Sequence, residues 1–470
     1  MSKAIRFFVF IFLAATAASA WSQLTDTTVA TNRAVVPPGT DWTEIFVTCP
    51  TGLVALSGGV DTNDFTQIEV TTLAPTFAGA QLASQLEGTR SAADGWIARV
   101  KNYDATAHPV TLMAVCASLP GVVVNISSGG VSGGTVAAAG TGTAFTNCPV
   151  GYSAVGGGVD DSSPATMKIS ALAPTFQSQF LIERPAGQNP APTGWSGSIR
   201  SEGAAGQMKV AAVCAQLSGV FSESTGPFNI PEGGVSGLSA QCPSGSVLLS
   251  GGIDSNEVRR NAIAVSTVMF GSQFPADRPV GTYSGATGWY GIFYNYGPGM
   301  TTGAVAAVCA LSSPNVVFVY EFYNTNLRHF FRTANAAEAN GIDHGSAGAG
   351  WVRTGDDFLA YLAQSNSPGF DVCRFYTPGA NSHFYTAFQS ECDSLKSPNS
   401  GWMYEGLSFR IQLPSGSTCP AGTKPVYRLY NNRFQFNDSN HRFTTIQSEV
   451  QSLQAQGWTY EGVAFCAIAS

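Results

Sequence analysis

The chain has 470 residues, of which 44% are hydrophobic and only 11% are charged, and its formal net charge at pH 7 is −7. This composition argues against a disordered chain, which combines low hydrophobicity with high net charge. The acidic balance argues against binding to nucleic acid or to an anionic membrane surface, since both require clustered lysine and arginine. The length predicts roughly two to four domains.

The first twenty residues have the pattern of an export signal. Lys3 and Arg6 provide positive charge, residues 7–13 an apolar core, and Ala18-Ser19-Ala20 a small-residue cleavage site. The apolar run is shorter than the roughly 20 residues that a membrane span needs. We therefore predict a secreted or periplasmic protein that begins at Trp21, has no transmembrane segment and carries a net charge of −9, since removal of the signal takes away two basic residues and no acidic one.

The chain from residue 21 to residue 313 repeats one unit three times. Each copy contains, in order, Cys-Pro-x-Gly, Gly-Gly-x-Asp, Gly-Trp and an apolar run that ends in Val-Cys. The first cysteine precedes the tryptophan by 47 residues in every copy, and such equal spacing indicates structural repeats. The predicted boundaries are 21–121, 122–219 and 220–313.

These repeats have the composition of β-strands. Runs rich in Val, Ala and Leu, such as residues 110–119 and 208–217, are short and bounded by turn residues. No apolar stripe of helical period stands out in this region. We predict a mainly β fold with three sandwich-like repeats, and the sequence leaves open whether they are separate domains or one joint globule.

Ten cysteines follow the predicted signal, and an exported chain can oxidise them. None forms a Cys-x-x-Cys pair, and no stretch has the close Cys/His spacing of a zinc site, so disulfides are favoured over metal binding. One bridge within each repeat is the economical pairing. The predicted disulfides are Cys49–Cys116, Cys148–Cys214, Cys242–Cys309, Cys373–Cys392 and Cys419–Cys466.

An aspartate follows the Gly-Gly pair of every repeat, as Asp61, Asp160 and Asp254. An aspartate in a glycine-rich turn of an exported protein could bind calcium. No second acidic residue recurs at a fixed offset, however, so we favour a turn in which the carboxylate accepts a hydrogen bond from a nearby backbone N–H.

The repeated tryptophans and one serine motif are further candidates in this region. We interpret Trp96, Trp195 and Trp289 as core residues over the disulfides rather than as ligand platforms. Residues 130–134 match the nucleophile pattern Gly-x-Ser-x-Gly, but the next repeat loses the last glycine and no strand–turn–helix context surrounds either copy. We therefore predict no serine hydrolase site there.

A shorter unit occurs three times in the last third of the chain. Each copy starts with an aromatic run, continues with a phrase that ends in Thr and a Glu five residues later, and closes with Gly-Trp. In the last copy Ile446, Val450 and Leu453 have helical spacing. We predict a pseudo-threefold α+β domain, residues 316–470, of three β-β-α-β units. The unit boundaries are about 316–365, 371–413 and 425–468.

The C-terminal motifs resemble a repeat family of secreted bacterial and fungal proteins that has no assigned function. The resemblance is carried by Val-Tyr-Arg-Leu-Tyr-Asn at 426–431, His-Phe-Tyr-Thr at 383–386 and two copies of Gly-Trp-x-Tyr-Glu-Gly. It implies an accessory role beside extracellular hydrolases or cell-surface modules. Unit one departs from the pattern, because Arg353-Thr354 replace Tyr-Glu. The N-terminal part resembles Cys-Pro-x-Gly…Gly-Gly repeats of other secreted bacterial proteins.

Several residues of the C-terminal units could contact a ligand. Aromatic rings beside Arg, Asn and Glu could stack on sugars, although we favour the tryptophans as core residues. The two glutamates could act as an acid/base pair, but their equivalence in two repeats favours ion pairs with Arg374 or Arg428. Histidines 329, 383 and 441 could form a three-His metal site, but hydrogen bonds to backbone are favoured. The candidate ligand-binding residues are Trp402, Tyr404, Glu405, Trp458, Tyr460, Glu461, His383 and His441.

Repetition is the main sequence clue to function. We predict an exported, non-enzymatic repeat protein that binds glycan or cell-surface material through weak, repeated sites, with no catalytic residue, metal or cofactor assigned. One alternative is a secreted hydrolase of glycan or peptide with the C-terminal units as accessory module. Another alternative is a structural envelope or spacer protein.

Overall fold

The computed structural model describes residues 24, 26–39, 42–63, 67–129, 134–161, 166–177, 179–217, 219–243, 245–257, 261–313, 315–343, 345–436 and 438–469. The predicted signal, Trp21 and residues 130–133 of the serine motif lie outside these ranges. Strands account for 57% of the structure and helices for 8%. The predicted mainly β fold class is therefore confirmed.

The N-terminal part consists almost entirely of strands. The first eight are Thr28–Val36 (β1), Trp42–Thr48 (β2), Val54–Asp61 (β3), Ile68–Phe77 (β4), Ala80–Gln81 (β5), Gly88–Ser91 (β6), Gly95–Asn102 (β7) and His108–Ala117 (β8). The next nine are Val123–Ser127 (β9), Thr135–Val136 (β10), Thr141–Asn147 (β11), Ser153–Asp161 (β12), Met167–Phe176 (β13), Gln179–Phe180 (β14), Gly187–Asn189 (β15), Gly194–Ser201 (β16) and Gly206–Ala215 (β17). The last eight are Val220–Ser224 (β18), Phe228–Ile230 (β19), Val235–Gln241 (β20), Ser246–Ser255 (β21), Asn261–Met269 (β22), Thr282–Ser284 (β23), Gly288–Asn295 (β24) and Thr301–Leu311 (β25). Short 3₁₀ turns lie at Leu82–Ser84, Leu181–Glu183 and Pro275–Asp277.

Each N-terminal sheet combines strands from two repeats. One sheet has the order β2-β7-β4-β12-β17-β9-β6, the next β11-β16-β13-β21-β25-β18-β15, and the third β20-β24-β22-β3-β8-β1-β23. The third sheet joins the last repeat back to the first, so the three repeats close into a ring. One hydrophobic cluster runs through all three repeats. The three repeats therefore form one joint globule rather than separate domains.

The two glycines of each Gly-Gly-x-Asp motif let large groups approach the strand closely. Trp195 is fully buried, and a Cβ on Gly157 would lie 2.2 Å from its ring. A Cβ on the next glycine, Gly158, would lie 2.7 Å from the carbonyl oxygen of Leu73 in the neighbouring repeat. Trp96 and Trp289 are likewise fully buried, so the tryptophans are core residues.

The repeated aspartates join one repeat to another. Each accepts a hydrogen bond from the backbone N–H of a 3₁₀ turn in a neighbouring repeat, and the turns are thereby anchored to the ring. These partners are remote in sequence and were not predicted. Asp160 and Asp254 also accept the predicted local hydrogen bond, from the backbone N–H of the next residue, at 2.9 and 2.8 Å. Burial raises the pKa of Asp61 and of Asp254 to about 6, against the opposing effect of these hydrogen bonds. The pairs are Asp61 with Ala276 (2.6 Å), Asp160 with Ala83 (2.7 Å) and Asp254 with Ile182 (2.9 Å).

The C-terminal part follows the order strand–strand–helix–strand three times, and the closing strand of unit one is split. Unit one has Val316–Asn324 (β26), Phe330–Thr333 (β27), Ala336–Asp343 (α1), Trp351–Arg353 (β28) and Phe358–Tyr361 (β29). Unit two has Phe370–Thr377 (β30), Ser382–Thr386 (β31), Gln389–Leu395 (α2) and Met403–Ile411 (β32). Unit three has Thr423–Tyr430 (β33), His441–Thr444 (β34), Gln447–Ala455 (α3) and Thr459–Ile468 (β35), with a 3₁₀ turn at Phe434–Phe436.

The closing strands of the three units meet in the centre of the C-terminal part. Phe409 lies 5.8 Å from Phe358 and 5.9 Å from Phe465, measured between ring centroids. All three rings are buried. Phe318 at the start of this part stacks edge-on against Phe221 of the N-terminal ring at 4.7 Å, so the apolar contacts continue from one part of the chain to the other.

All ten cysteines form disulfides, in the five predicted pairs. The three bridges of the N-terminal ring each close a loop of 66 or 67 residues. Such bridges are typical of oxidising environments. No helix within the described ranges is long and apolar enough to cross a membrane.

Candidate functional site

A groove of about 520 Å³ lies between units two and three of the C-terminal part. We call it groove 2–3. One wall is the helix α2 and the other consists of the paired strands β33 and β34. Its lining residues are Phe384, Ser390, Glu391, Ser394, Leu395, Trp402, Arg428, His441 and Glu461.

Secondary structure places these side chains together. The four residues from α2 fall at positions i, i+1, i+4 and i+5, which share one face of a helix. Arg428 and His441 come from two strands that pair antiparallel, with Tyr430 opposite His441. Trp402 comes just before β32 and is half-buried. The groove therefore combines side chains from both units.

The polar side of groove 2–3 is an ion cluster around Arg428. The Nε atom of Arg428 lies 2.9 Å from Glu461, and its Nη1 and Nη2 atoms lie 3.2 and 3.3 Å from Glu391. The Nε2 atom of His441 is 3.4 Å from the same oxygen of Glu461. Burial opposes ionisation of Glu461, but the hydrogen bond to His441 and the charge of Arg428 outweigh it and lower the pKa.

The apolar side of groove 2–3 is aromatic. The ring of Phe384 lies 5.9 Å from the ring of Trp402 and 4.8 Å from the imidazole of His441. The guanidinium of Arg428 lies 5.3 Å from the centroid of the same Phe384 ring. Aromatic and charged surfaces thus meet at the bottom of one groove.

The charged and aromatic side chains at the interface of units one and two repeat these contacts, and we call this set of residues groove 1–2. Arg374 lies 2.9 Å from Glu405 of its own unit and 2.8 Å from Glu338 on the helix of unit one. The carboxylate of Glu405 is 3.3 Å from His383, and this hydrogen bond is the largest cause of the lowered pKa of Glu405. The aromatic part repeats as well. The ring of Phe331 lies 6.0 Å from Trp351 and 4.7 Å from His383.

The interface between units three and one, groove 3–1, has the same positions with the residue types exchanged. Arg442 stands where the other grooves have phenylalanine, Phe330 where they have histidine, and Glu321 where they have arginine. Arg442 lies 4.4 Å from the ring of Phe330 and 3.1 Å from fully buried Glu321. It also pairs with Glu449 of α3 at 2.6 Å.

Groove 3–1 contains a buried ion cluster. Glu321 lies 2.8 Å from Arg332, which also donates to the backbone oxygen of Phe443. Burial raises the pKa of Glu321, although Arg332 and Arg442 oppose this effect. Trp458 lies 6.1 Å from the ring of Phe330. This interface therefore joins the last unit to the first through charges that water reaches poorly.

The candidate ligand-binding residues do not form one site; apart from the two tyrosines, they lie at different interfaces between the C-terminal units. Trp402, His441 and Glu461 line groove 2–3, whereas His383 and Glu405 line groove 1–2. Trp458 lies in groove 3–1. The ion pairs of both glutamates with the strand arginines are those that the sequence favoured.

The two tyrosines lie outside the grooves. Tyr404 and Tyr460 are 43% and 39% exposed. The ring of Tyr404 packs at a tilt of 51° against that of Phe375, with centroids 5.4 Å apart, and the Nζ atom of Lys396 lies 4.3 Å from the Tyr404 ring centroid. Their positions follow from the alternation of side chains along the closing strands.

The sequence grouped His329 with His383 and His441, but the three do not occupy equivalent positions. The strand pairing gives the position of His383 and His441 to Phe330 in unit one. The Nδ1 and Nε2 atoms of His329 instead lie 3.1 Å from the backbone oxygen of Asn381 and 2.7 Å from Asp438. In the part of the chain that the structure describes, no cluster of three or more His, Cys, Asp or Glu residues could hold a metal ion.

Some residues that line groove 2–3 were not among the ligand-binding candidates predicted from the sequence. Phe384, Ser390, Ser394 and Leu395 line groove 2–3. The fixed step of five residues from Thr to Glu was the available signal for Glu391, whose carboxylate accepts a hydrogen bond from Thr386 at 2.5 Å. The sequence did not reveal that this glutamate would contact the next unit.

The fold and the site together define a mainly β, disulfide-bonded protein in which a ring of shared sheets is followed by a smaller domain with a groove between its second and third units. Residues 305–468 match the family model of a domain of unknown function, DUF5648. The match covers the C-terminal third of the chain and includes all three grooves. A comparison with curated proteins finds no match for the chain.

Proposed function

We propose that the protein is an exported, non-enzymatic binding protein that holds sugar units of a glycan or cell-surface polymer in groove 2–3. The observation that carries this proposal is the groove itself, where Trp402 and Phe384 face the ion cluster of Arg428, Glu391 and Glu461. Small-molecule sites typically combine an apolar wall with a few convergent polar groups. Sugars have apolar ring faces and hydroxyl edges, and both surfaces are available here.

The electrostatics of the groove support binding rather than hydrolysis. A glycosidase needs one carboxyl group whose pKa is raised so that it can act as a general acid. The pKa of Glu461 is instead lowered, and Glu391 shares the same guanidinium. Two carboxylates that neutralise one arginine form a fixed polar surface rather than a split acid/base pair.

Export and repetition complete the proposal. The N-terminal signal pattern and the five disulfides both suit a protein that works outside the cytoplasm. Because groove 1–2 repeats the charged and aromatic residues of groove 2–3, one polymer could occupy two weak sites at once. Such linked binding raises the overall affinity without new contacts.

Retention on insoluble polysaccharides tests the proposal. The purified full-length mature protein is mixed with chitin, cellulose, peptidoglycan and deacetylated chitin, and the bound fraction is measured. We expect Trp402→Ala to reduce retention at least fivefold. The matched control is Trp458→Ala, which removes the same residue from groove 3–1 and should leave retention unchanged. Loss of retention in the control alone, or no retention of the wild type on any polymer, would contradict the proposal.

A further inference from the structure

The composition of the grooves indicates which sugars they select. Groove 2–3 has two carboxylates, Glu391 and Glu461, for one guanidinium, that of Arg428. Groove 1–2 has the same ratio, with Glu338 and Glu405 around Arg374. The histidine is the only other residue of each set that can carry positive charge. An acidic ligand would meet the excess of carboxylates, whereas a cationic ligand would balance it.

Each groove also presents a carboxylate oxygen to which no described residue donates a hydrogen bond. The Oε2 atom of Glu461 contacts both Arg428 and His441, whereas its Oε1 atom has no hydrogen-bond partner within the described ranges. In groove 1–2 the Oε2 atom of Glu405 contacts Arg374 and His383, and its Oε1 is equally unpartnered there. The two side chains are 27% and 28% exposed. Both therefore offer an acceptor for a hydrogen-bond donor of the ligand.

The remaining residues of groove 2–3 suit a ligand that donates hydrogen bonds and carries positive charge. The face of a tryptophan attracts a cation through its ring quadrupole, and half-buried Trp402 lines the same groove as the carboxylates. The exposed hydroxyls of Ser390 and Ser394 on α2 can bind sugar hydroxyls. A protonated amine therefore finds two favourable contacts, and the hydroxyls of the same sugar ring find others.

We propose that groove 2–3 and groove 1–2 recognise a hexosamine whose amino group is free and protonated, as in a deacetylated polysaccharide, and that they discriminate against its N-acetylated form. This inference rests on the proposed function, since it names the sugar class of the same grooves. Acetylation removes both the charge and two of the three N–H donors of the ammonium group. Uronic acids are disfavoured because their carboxylate would approach Glu391 and Glu461.

The affinity of the full-length mature protein for four short probes tests this inference by calorimetry at pH 6. The probes are a glucosamine tetramer, an N-acetylglucosamine tetramer, a galacturonate tetramer and tetralysine. We expect the glucosamine tetramer to bind at least tenfold more tightly than the other three. Higher salt should weaken its binding, because the contact is electrostatic and the groove is open to water.

Charge-neutralising variants locate the effect in the grooves. Glu461→Gln and Glu391→Gln should each reduce affinity for the glucosamine tetramer at least threefold while the weaker binding of the acetylated tetramer stays the same. The matched control is Glu449→Gln, which changes the helix glutamate of groove 3–1 and should leave affinity unchanged. Circular dichroism melting shows that each variant is folded.

The outcomes separate this inference from the proposed function. Equal or tighter binding of the acetylated tetramer, combined with sensitivity to Trp402→Ala, would overturn the free-amine preference but keep glycan binding. Tighter binding of tetralysine than of the glucosamine tetramer would indicate that the grooves recognise a basic peptide rather than a sugar. Absence of binding to all sugars would contradict the proposed function as well.

Discussion

Arg428 on a strand of unit three contacts Glu391 on the helix of unit two, with two N···O distances of 3.2 and 3.3 Å. The same guanidinium pairs with Glu461 of its own unit at 2.9 Å. The polar floor of groove 2–3 is therefore also a joint between two units. Any ligand that binds this floor contacts residues whose relative position is fixed by the packing of the repeats.

Removal of Arg332 should destabilise the protein much more than removal of Arg428. Arg332→Met leaves Glu321 buried without its closest cation, and breaking a buried pair costs about 3–5 kcal/mol. Arg428→Met breaks pairs with glutamates that are 27% and 37% exposed, which costs about 1 kcal/mol. Denaturant unfolding of both variants gives the free energies, and equal losses would contradict the described burial.

Gly157→Ala should destabilise the N-terminal ring by about 2 kcal/mol or more, because the new methyl group would overlap the buried ring of Trp195. Gly281→Ala is the matched control, since the nearest atoms to its Cβ lie 3.8 and 3.9 Å away on Tyr283. Thermal unfolding measures both. The prediction fails if the two substitutions shift the melting temperature equally.

Replacing both cysteines of one ring disulfide, in Cys148→Ser with Cys214→Ser, should lower the free energy of unfolding by about 4 kcal/mol. The bridge closes a loop of 66 residues, and the loss of that constraint increases the entropy of the unfolded chain. Chemical denaturation under non-reducing conditions measures the change. A loss below about 1 kcal/mol would show that the shared sheets alone hold the repeats together.

Ionisation of the buried Asp254 carboxyl group should lower the free energy of unfolding as the pH rises through 6. Its folded pKa is raised from 3.8 to about 6, chiefly by burial. A raised folded pKa gives stability that is fully present below the unfolded pKa and is lost as the pH rises through the folded value. We expect Asp254→Asn to be most destabilising near pH 4, relative to wild type, and its cost to shrink by about 2–3 kcal/mol by pH 7. A cost that does not change between pH 4 and pH 7 would contradict this assignment.

Local chemistry was predictable from the sequence. The three disulfides of the N-terminal ring follow from cysteines at equivalent places in repeated motifs, and the two C-terminal disulfides follow from the expected order of strands and helix. The buried state of Trp195 follows from its fixed distance to the first cysteine. The ion pairs of Glu405 and Glu461 with strand arginines follow from residues that recur together. In these cases the partners lie within one repeat or unit, or directly before it as Cys419 does, so spacing along the chain carries the information.

Contacts between repeats were not predictable, because a repeat period shows what recurs but not which copy supplies the partner. Val60 pairs with Ser266 of the last repeat, and nothing near either residue indicates this pairing. The contact of Arg428 with Glu391 also joins two units, so it could not be predicted from the repeat period either. His329 was grouped with His383 and His441 by residue type alone, whereas the strand register gives the equivalent position in unit one to Phe330.

The number of sugar molecules bound per chain tests the central claim most directly. Titration calorimetry of the protein expressed without residues 1–20, with a glucosamine disaccharide as the ligand, gives this number. We predict two sites per chain, one in groove 1–2 and one in groove 2–3, and one site after Trp402→Ala. Three equal sites would show that groove 3–1 also binds and that its exchanged charges do not matter, and no measurable site would contradict sugar binding by this domain.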